Sequence, residues 1–348
     1  MSSRAGQHAG GGWRNWFFGF VLAAALTGAV LHWGEVKGFA ALVERARPAW
    51  LGLAITLQFS TYVSVAAGWA AVLRRAGTPR RLPELIRIAV TKLFADQAFP
   101  SAGMGGNVLL VDQLRGSGVD RGTAVAALII SMVGFYAAYA LFAIVMLVLL
   151  WFHDRATPLM AGLVTLFLCV ALAIPGLALW LRNRGSEPLP GWIERIGVVR
   201  ALLDSVAEAP GALLRDRSLL IRVAACNALI FLADAGTLFA CLRALGTDAS
   251  AGTSFIALMM ASIVVTLGPI PLGLGSFEAT STATLGLLGI SFEAAFAGTM
   301  LLRLLTLWLP LVPGMVLMRG AIRRPRRRTI GAHPSTPSGR PEDRGRSR

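Results

Sequence analysis

Five ionisable residues stand in or beside long apolar segments: Lys92, Asp96, Asp234, Glu278 and Arg303. A charge at membrane depth costs roughly 2.5–3.5 kcal/mol on insertion scales, so each needs a reason to be there. Arg303 offers a permanent cation that can hold a phosphate or another anionic group. Glu278 or Asp234 can serve as its exchangeable partner or as a proton site. Lys92 and Asp96, four residues apart, fall on one helix face and can pair with each other. Each also has a plain structural reading. Arg303–Glu278 and Lys92–Asp96 can be buried pairs that lock the chain, and Glu278 can cap a helix N-terminus. Asn107, Gln97 and Asn227 can do no more than hydrogen-bond between helices. The sequence leaves both sets of readings open.

Enzyme motifs are missing, which leaves a membrane transferase built on Asp and Arg alone as the enzyme reading. There is no Ser/His/Asp set, no HExxH and no phosphate-binding loop, and Gly103-Met104-Gly105-Gly106 follows no strand. Cys169, Cys226 and Cys241 lie in apolar segments with no metal-ligand spacing, and they read as small buried hydrophobes. No catalytic residue, cofactor or metal is expected.

The elements that must position these residues are membrane helices. Of the 348 residues 55% are hydrophobic and 15% charged, and the mean hydropathy is +0.64. A soluble domain carries about 25% charged residues. The apolar residues form recurrent long runs without strand alternation, which excludes a β-barrel. The formal net charge of +15 collects in loops and tail, as the positive-inside rule requires, so nucleic acid is not the expected partner. These arginines should attract anionic lipid, by about 1 kcal/mol for each near the surface.

Residues 1–15 are a Gly-rich, disordered lead, 16–320 a membrane domain, and 321–348 a basic, disordered cytoplasmic tail. Full spans are expected at 17–33, 49–73, 121–151, 157–181 (kinked at Pro175), 219–245 and 292–318. A short amphipathic piece covers 39–47, and a surface helix 193–206. Two segments are broken. Residues 84–99 stop at Pro100, pass through a flexible turn at 101–107, and resume in the apolar run 108–111. Residues 253–267 lead into Gly268-Pro269-Ile270-Pro271-Leu272-Gly273-Leu274-Gly275, followed by 276–288. Both read as re-entrant hairpins, whose irregular backbone is tolerated only where it is buried or lines a cavity. Gly273 and Gly275 therefore join the candidate site. The basic loops then share one face, which places both termini in the cytoplasm of a multi-pass inner (cytoplasmic) membrane protein; two crossing helices in each hairpin would raise the span count without changing that orientation.

The broken segments match. Pro100 and Pro271 are 171 apart, as are Gly118 and Gly289, Val119 and Ile290, and Ala124 and Ala295. One hairpin starts from the cytoplasmic face and the other from outside, which is an inverted repeat of the kind that builds mid-membrane transporter sites.

These residues carry a resemblance. Phe99-Pro100-Ser101-Ala102-Gly103 with Arg115 and Gly118-Val119 forms one half. Pro269-Ile270-Pro271-Leu272-Gly273-Leu274-Gly275-Ser276-Phe277-Glu278-Ala279 with Arg303 and Trp308-Leu309-Pro310 forms the other. Together they resemble the flippase-like membrane domain of lysylphosphatidylglycerol synthases, also found alone in uncharacterised membrane proteins, over residues 15–320. The resemblance implies a protein that moves or handles lipids with polar headgroups. Two departures touch the first half: Gly106-Asn107 stands where many relatives carry an acidic residue, and Ser131-Met132 where many carry an arginine. The tail leaves no room for the soluble aminoacyl-transferase domain of the full synthases. The expected function is translocation of a phospholipid or lipid-linked headgroup. The alternative is a membrane enzyme or accessory factor of cell-envelope lipid or glycan assembly, working with a separate biosynthetic enzyme.

Overall fold

The computed structural model describes residues 46–98, 104–152, 158–184, 210–268, 273–309 and 313–314. The expected span at 17–33, the surface helix at 193–206, the lead, the tail and the two breaks at 99–103 and 269–272 lie outside the described residues.

Helix α1 (Pro48–Arg75) opens on proline, whose missing N–H is one that a first turn leaves unbonded anyway. It closes on Arg74 and Arg75, cations suited to a carbonyl end. Gly77 then takes φ +75, and the Thr78 N–H returns to the Leu73 carbonyl at 2.9 Å, a glycine-terminated helix end. The following elements are α2 (Leu82–Ala98), α3 (Met104–Gly116), α4 (Arg121–Phe152) and α5 (Pro158–Arg184). After a helical turn at Gly211–Arg215 come α6 (Arg217–Ala244), α7 (Ala251–Leu267), α8 (Ser276–Leu287) and α9 (Phe292–Arg303). A π-helical turn, Leu304–Trp308, follows α9 directly. No strand occurs among the described residues.

Helix α6 is the centre of the bundle, packed on α1, α4, α7 and α9. It lies antiparallel to α1: the Arg47 N–H donates to the Ala244 carbonyl at 2.9 Å, and Arg75 Nε meets Asp216 Oδ2 at 2.7 Å at the opposite end. Asp216 also caps α6 by accepting from the Leu219 N–H at 3.1 Å. Arg75 first, and then this cap, hold its carboxyl below the usual range. One apolar core joins α4 to α8 around Tyr139, Phe167 and Phe231. A second joins α1 to α4 around Trp69, Leu85, Leu110 and Ile130.

The outer surface is apolar as well. Ile144, Val148, Leu159, Leu166, Leu172, Ile221, Leu229 and Leu232 are exposed, and Trp151 and Phe152 are 70% and 73% exposed. Water does not tolerate so broad an apolar face, whereas lipid does. Helices α1, α4 and α6 are each long and apolar enough to cross a membrane, and 158–173 and α7 are shorter apolar helices. The chain is a multi-pass helical membrane protein.

Three expectations need correcting. Helix α3 begins at Met104, so Gly105, Gly106 and Asn107 are helical rather than part of a flexible turn. The reason is a cap from outside the helix: Asp96 Oδ1 accepts from the Gly106 N–H at 3.1 Å, satisfying a donor that a helix start leaves open. The last segment is not one even helix, because its α-helical part stops at Arg303 and a π turn follows. Of the three free cysteines only Cys241 is buried, and Cys169 is exposed on the apolar exterior. Helix α5 is continuous through Pro175.

Candidate functional site

The site begins with two ion pairs, one within α2 and one between α8 and α9. Lys92 and Asp96 occupy neighbouring turns of α2, and Lys92 Nζ donates to Asp96 Oδ2 at 2.7 Å. With Asp96 Oδ1 on the Gly106 N–H, this carboxylate ties α2 to the first turn of α3. A Cβ at 106 would push the Asp96 carboxylate out of this position, so glycine lets the cap form as it stands.

The second pair joins α8 to α9. Arg303 Nε donates to Glu278 Oε1 at 2.6 Å, with the two side chains 11% and 12% exposed. The other oxygen, Glu278 Oε2, accepts from the Gly275 N–H at 2.7 Å, so Glu278 caps α8 and pairs with Arg303 at once. Gly273 and Gly275 take φ +62 and +84 to deliver the chain to this point. The Arg303 guanidinium also lies 4.9 Å from the centre of the Phe277 ring, a cation–π distance.

Just beyond Arg303, the Thr306 carbonyl would accept in a regular helix from residue 310, which is a proline without an N–H. Gln97 Nε2 supplies that donor at 3.2 Å. The end of α2 is thereby joined to the π turn after α9. Single π turns of this kind often occur at functional sites.

Between these elements lies a chamber of about 660 Å³. Gln58, Thr61, Tyr62 and Trp69 line it from α1; Lys92, Asp96 and Gln97 from α2; Asn107 from α3; Ser131, Phe135 and Tyr136 from α4; Asn227 and Asp234 from α6; and Arg303 and Thr306 from the last segment. Phe135, Tyr136, Asp234, Ser262 and Phe277 are shared with a second cavity of about 290 Å³. That one is walled by Tyr139, Phe231 and Val265 and is mostly apolar. A chamber with polar side chains set in a mostly apolar wall thus adjoins an aromatic cavity, with Asp234 in the wall of both.

The polar groups around the chamber are not self-satisfied. Gln58 Oε1, Tyr62 Oη, Trp69 Nε1, Gln97 Oε1 and Asp234 Oδ1 are buried with no partner of hydrogen-bonding geometry in the protein, and all five residues line the chamber. Gln58 stands beside both Tyr62 and Asp234 without completing a bond to either unpartnered atom. A buried polar atom left unbonded costs about 1–3 kcal/mol, so five beside one cavity leave hydrogen-bonding capacity there for water or a polar ligand group.

A family model described as the lysylphosphatidylglycerol synthase transmembrane region matches residues 16–314. The chain belongs to that family. Membership in the lysylphosphatidylglycerol synthase transmembrane family places it among membrane proteins of lipid and lipid-linked processes, and the matched stretch contains every residue that lines the chamber. No curated protein matches the chain.

Of the candidates read from sequence in this family member, Lys92, Asp96, Asn107, Asp234 and Arg303 share the chamber wall. Glu278 is not among the lining residues and reaches the site through Arg303. Gly273 and Gly275 are also outside the lining and shape the turn that positions Glu278. Asn227 bonds the Val223 carbonyl at 2.9 Å and the Ser131 carbonyl of α4 at 3.5 Å, the interhelical role expected of it, while also facing the chamber. The residues that sequence reasoning missed are Gln58, Thr61 and Tyr62. Their signal was two buried polar side chains in a segment taken for an ordinary span. Among the described residues no group of acidic, His or Cys side chains is arranged to hold a metal.

Proposed function

We propose that the protein translocates a phospholipid, or another lipid with a polar headgroup, across the cytoplasmic membrane by exposing the chamber to each face in turn. The observation that carries this is the set of five unpartnered buried polar atoms in one membrane-embedded cavity beside an aromatic compartment. Such a cavity fits an amphiphile: polar groups meet the headgroup while the aromatic compartment accepts the start of a hydrocarbon chain. Arg303 binds the phosphate by exchanging it for Glu278, which keeps the Gly275 N–H as partner when it lets go.

Alternating exposure needs two interconvertible arrangements, which an inverted repeat supplies. Several relations support that repeat. Helices α1 and α6 both have 28 residues, start 169 positions apart and run antiparallel. Helices α2 and α7 both have 17 residues at the same offset. Each half packs in the same order: α1 on α2, α2 on α3, α3 on α4 and α1 on α4 answer α6 on α7, α7 on α8, α8 on α9 and α6 on α9. The chamber wall follows suit, pairing Gln58 with Asn227, Val65 with Asp234, and Leu93 with Ser262. At the offset of 171 Met132 answers Arg303 and Asn107 answers Glu278, so only the second half carries the arginine–glutamate pair. In this reading the protein sits in the inner membrane with both termini cytoplasmic.

The test is leaflet translocation of fluorescent anionic, zwitterionic and aminoacylated phospholipids in proteoliposomes, with wild type compared to folded Arg303→Ala protein. Transport abolished by the substitution supports the reading. Unchanged transport removes Arg303 from the mechanism, and no movement of any lipid in wild type favours the enzyme or accessory role.

A further inference from the structure

The chamber holds its charges unevenly. Both cations already have carboxylate partners within 2.7 Å: Lys92 has Asp96 and Arg303 has Glu278. Those carboxylates are also committed to backbone, Asp96 on the Gly106 N–H and Glu278 on the Gly275 N–H. Asp234 differs. It lies on α6 with Gln58 of α1 beside it, its Oδ1 is buried without a partner of hydrogen-bonding geometry, and among the described residues no cation is paired with it. With every group ionised, the five charged side chains carry one excess negative charge in a poorly solvated space.

We infer that Asp234 is a proton-binding site linked to the headgroup site, so that an anionic headgroup and a proton enter the chamber together. This rests on the lipid-translocation reading and adds its coupling ion. An ionised Asp234 repels a phosphate seated near Arg303, the more strongly because its Oδ1 is shielded from solvent. Taking a proton from the side to which the chamber is open turns the Asp234 carboxylate into a carboxylic acid and removes that repulsion. By linkage, a bound phosphate must raise the proton affinity of Asp234 as much as the proton raises affinity for the phosphate.

The other titratable or charged groups lining the chamber are Tyr62 on α1, Lys92 and Asp96 on α2, Tyr136 on α4 and Arg303 on α9, with Glu278 of α8 behind Arg303. Helix α7 contributes Ser262, which does not titrate. Two of the three carboxylates each bond a cation and a backbone N–H, and the position equivalent to Asp234 in the other half is Val65. Asp234 is therefore the carboxylate with freedom to change charge.

The experiment uses the full chain in detergent micelles with short-chain phosphatidylglycerol as the probe. Binding heats in two buffers of different protonation enthalpy, at several pH values, give the protons taken up per lipid bound. Wild type is expected to take up about one proton, with affinity rising by up to about tenfold for each unit fall in pH across the range where Asp234 titrates. Asp234→Asn should take up none and show pH-independent affinity. Asp234→Glu should restore both, which a purely structural role would not predict. Proton uptake by Asp234→Asn equal to wild type overturns the inference. So does wild-type binding without proton uptake, sodium dependence at constant pH in its place, or no binding at any pH. If uptake is observed while proteoliposomes move no lipid, the proton site stands and the translocase reading falls. If vesicles move lipid but binding takes up no proton, the reverse holds.

Discussion

Arg75 and Asp216 meet at 2.7 Å where the end of α1 passes the start of α6. At the far end of the same pair, the Arg47 N–H bonds the Ala244 carbonyl at 2.9 Å. These two contacts fix the equal-length helices antiparallel. If each begins one repeat, equivalent loops leave the membrane on opposite faces. Pro79 after α1 and Asp248 after α6 are such equivalents, and both are exposed. Single cysteines there, in protein with Cys169, Cys226 and Cys241 replaced by serine, should react oppositely with an impermeant maleimide on right-side-out vesicles. Asp248→Cys is expected to label from outside and Pro79→Cys only after permeabilisation. Labelling of both from one side would sink the inverted repeat.

The Arg303–Glu278 pair is buried and hydrogen-bonded, so breaking it should cost more than removing it. Glu278→Met leaves a cation uncompensated and is expected to cost roughly 3–5 kcal/mol of stability, and the double replacement Glu278→Met with Arg303→Met distinctly less than the two single changes to Met summed. Thermal unfolding in detergent across the four proteins of the cycle measures the coupling. Additive losses would show that the pair does not act as a unit.

The two glycines of the second turn should differ. Both have positive φ, and Gly275 combines φ +84 with ψ −44, outside the left-handed helical well, so an alanine is strained at either position by roughly 1–2 kcal/mol or more. A Cβ on Gly273 would also run into Val265, whereas one on Gly275 meets nothing. Val265→Ala in the same chain should therefore recover part of the loss from Gly273→Ala and none of the loss from Gly275→Ala. Equal recovery of the two, or recovery of neither, read by unfolding midpoint, would show that the crowding at Val265 relaxes without cost.

What the sequence determined by itself was local. Apolar runs gave the long helices α1, α4 and α6, since a span of hydrocarbon length must bond its own backbone. Proline and glycine marked where α2 and α7 end. Four-residue spacing predicted the Lys92–Asp96 pair, and the rarity of charge in apolar segments picked out Asp234, Glu278 and Arg303. What the tertiary structure decided was long-range. It brought α1, read as an ordinary span, into the chamber wall with Gln58, Thr61 and Tyr62. It capped α3 with Asp96 and so made Gly106 and Asn107 helical. It also gave the carbonyl that Pro310 leaves without a donor to Gln97, 209 residues away. Signals of the first kind lie within one or two helical turns, where backbone geometry fixes which side chains are neighbours. Those of the second kind depend on which helices pack together, and a pattern along one helix does not specify its partner.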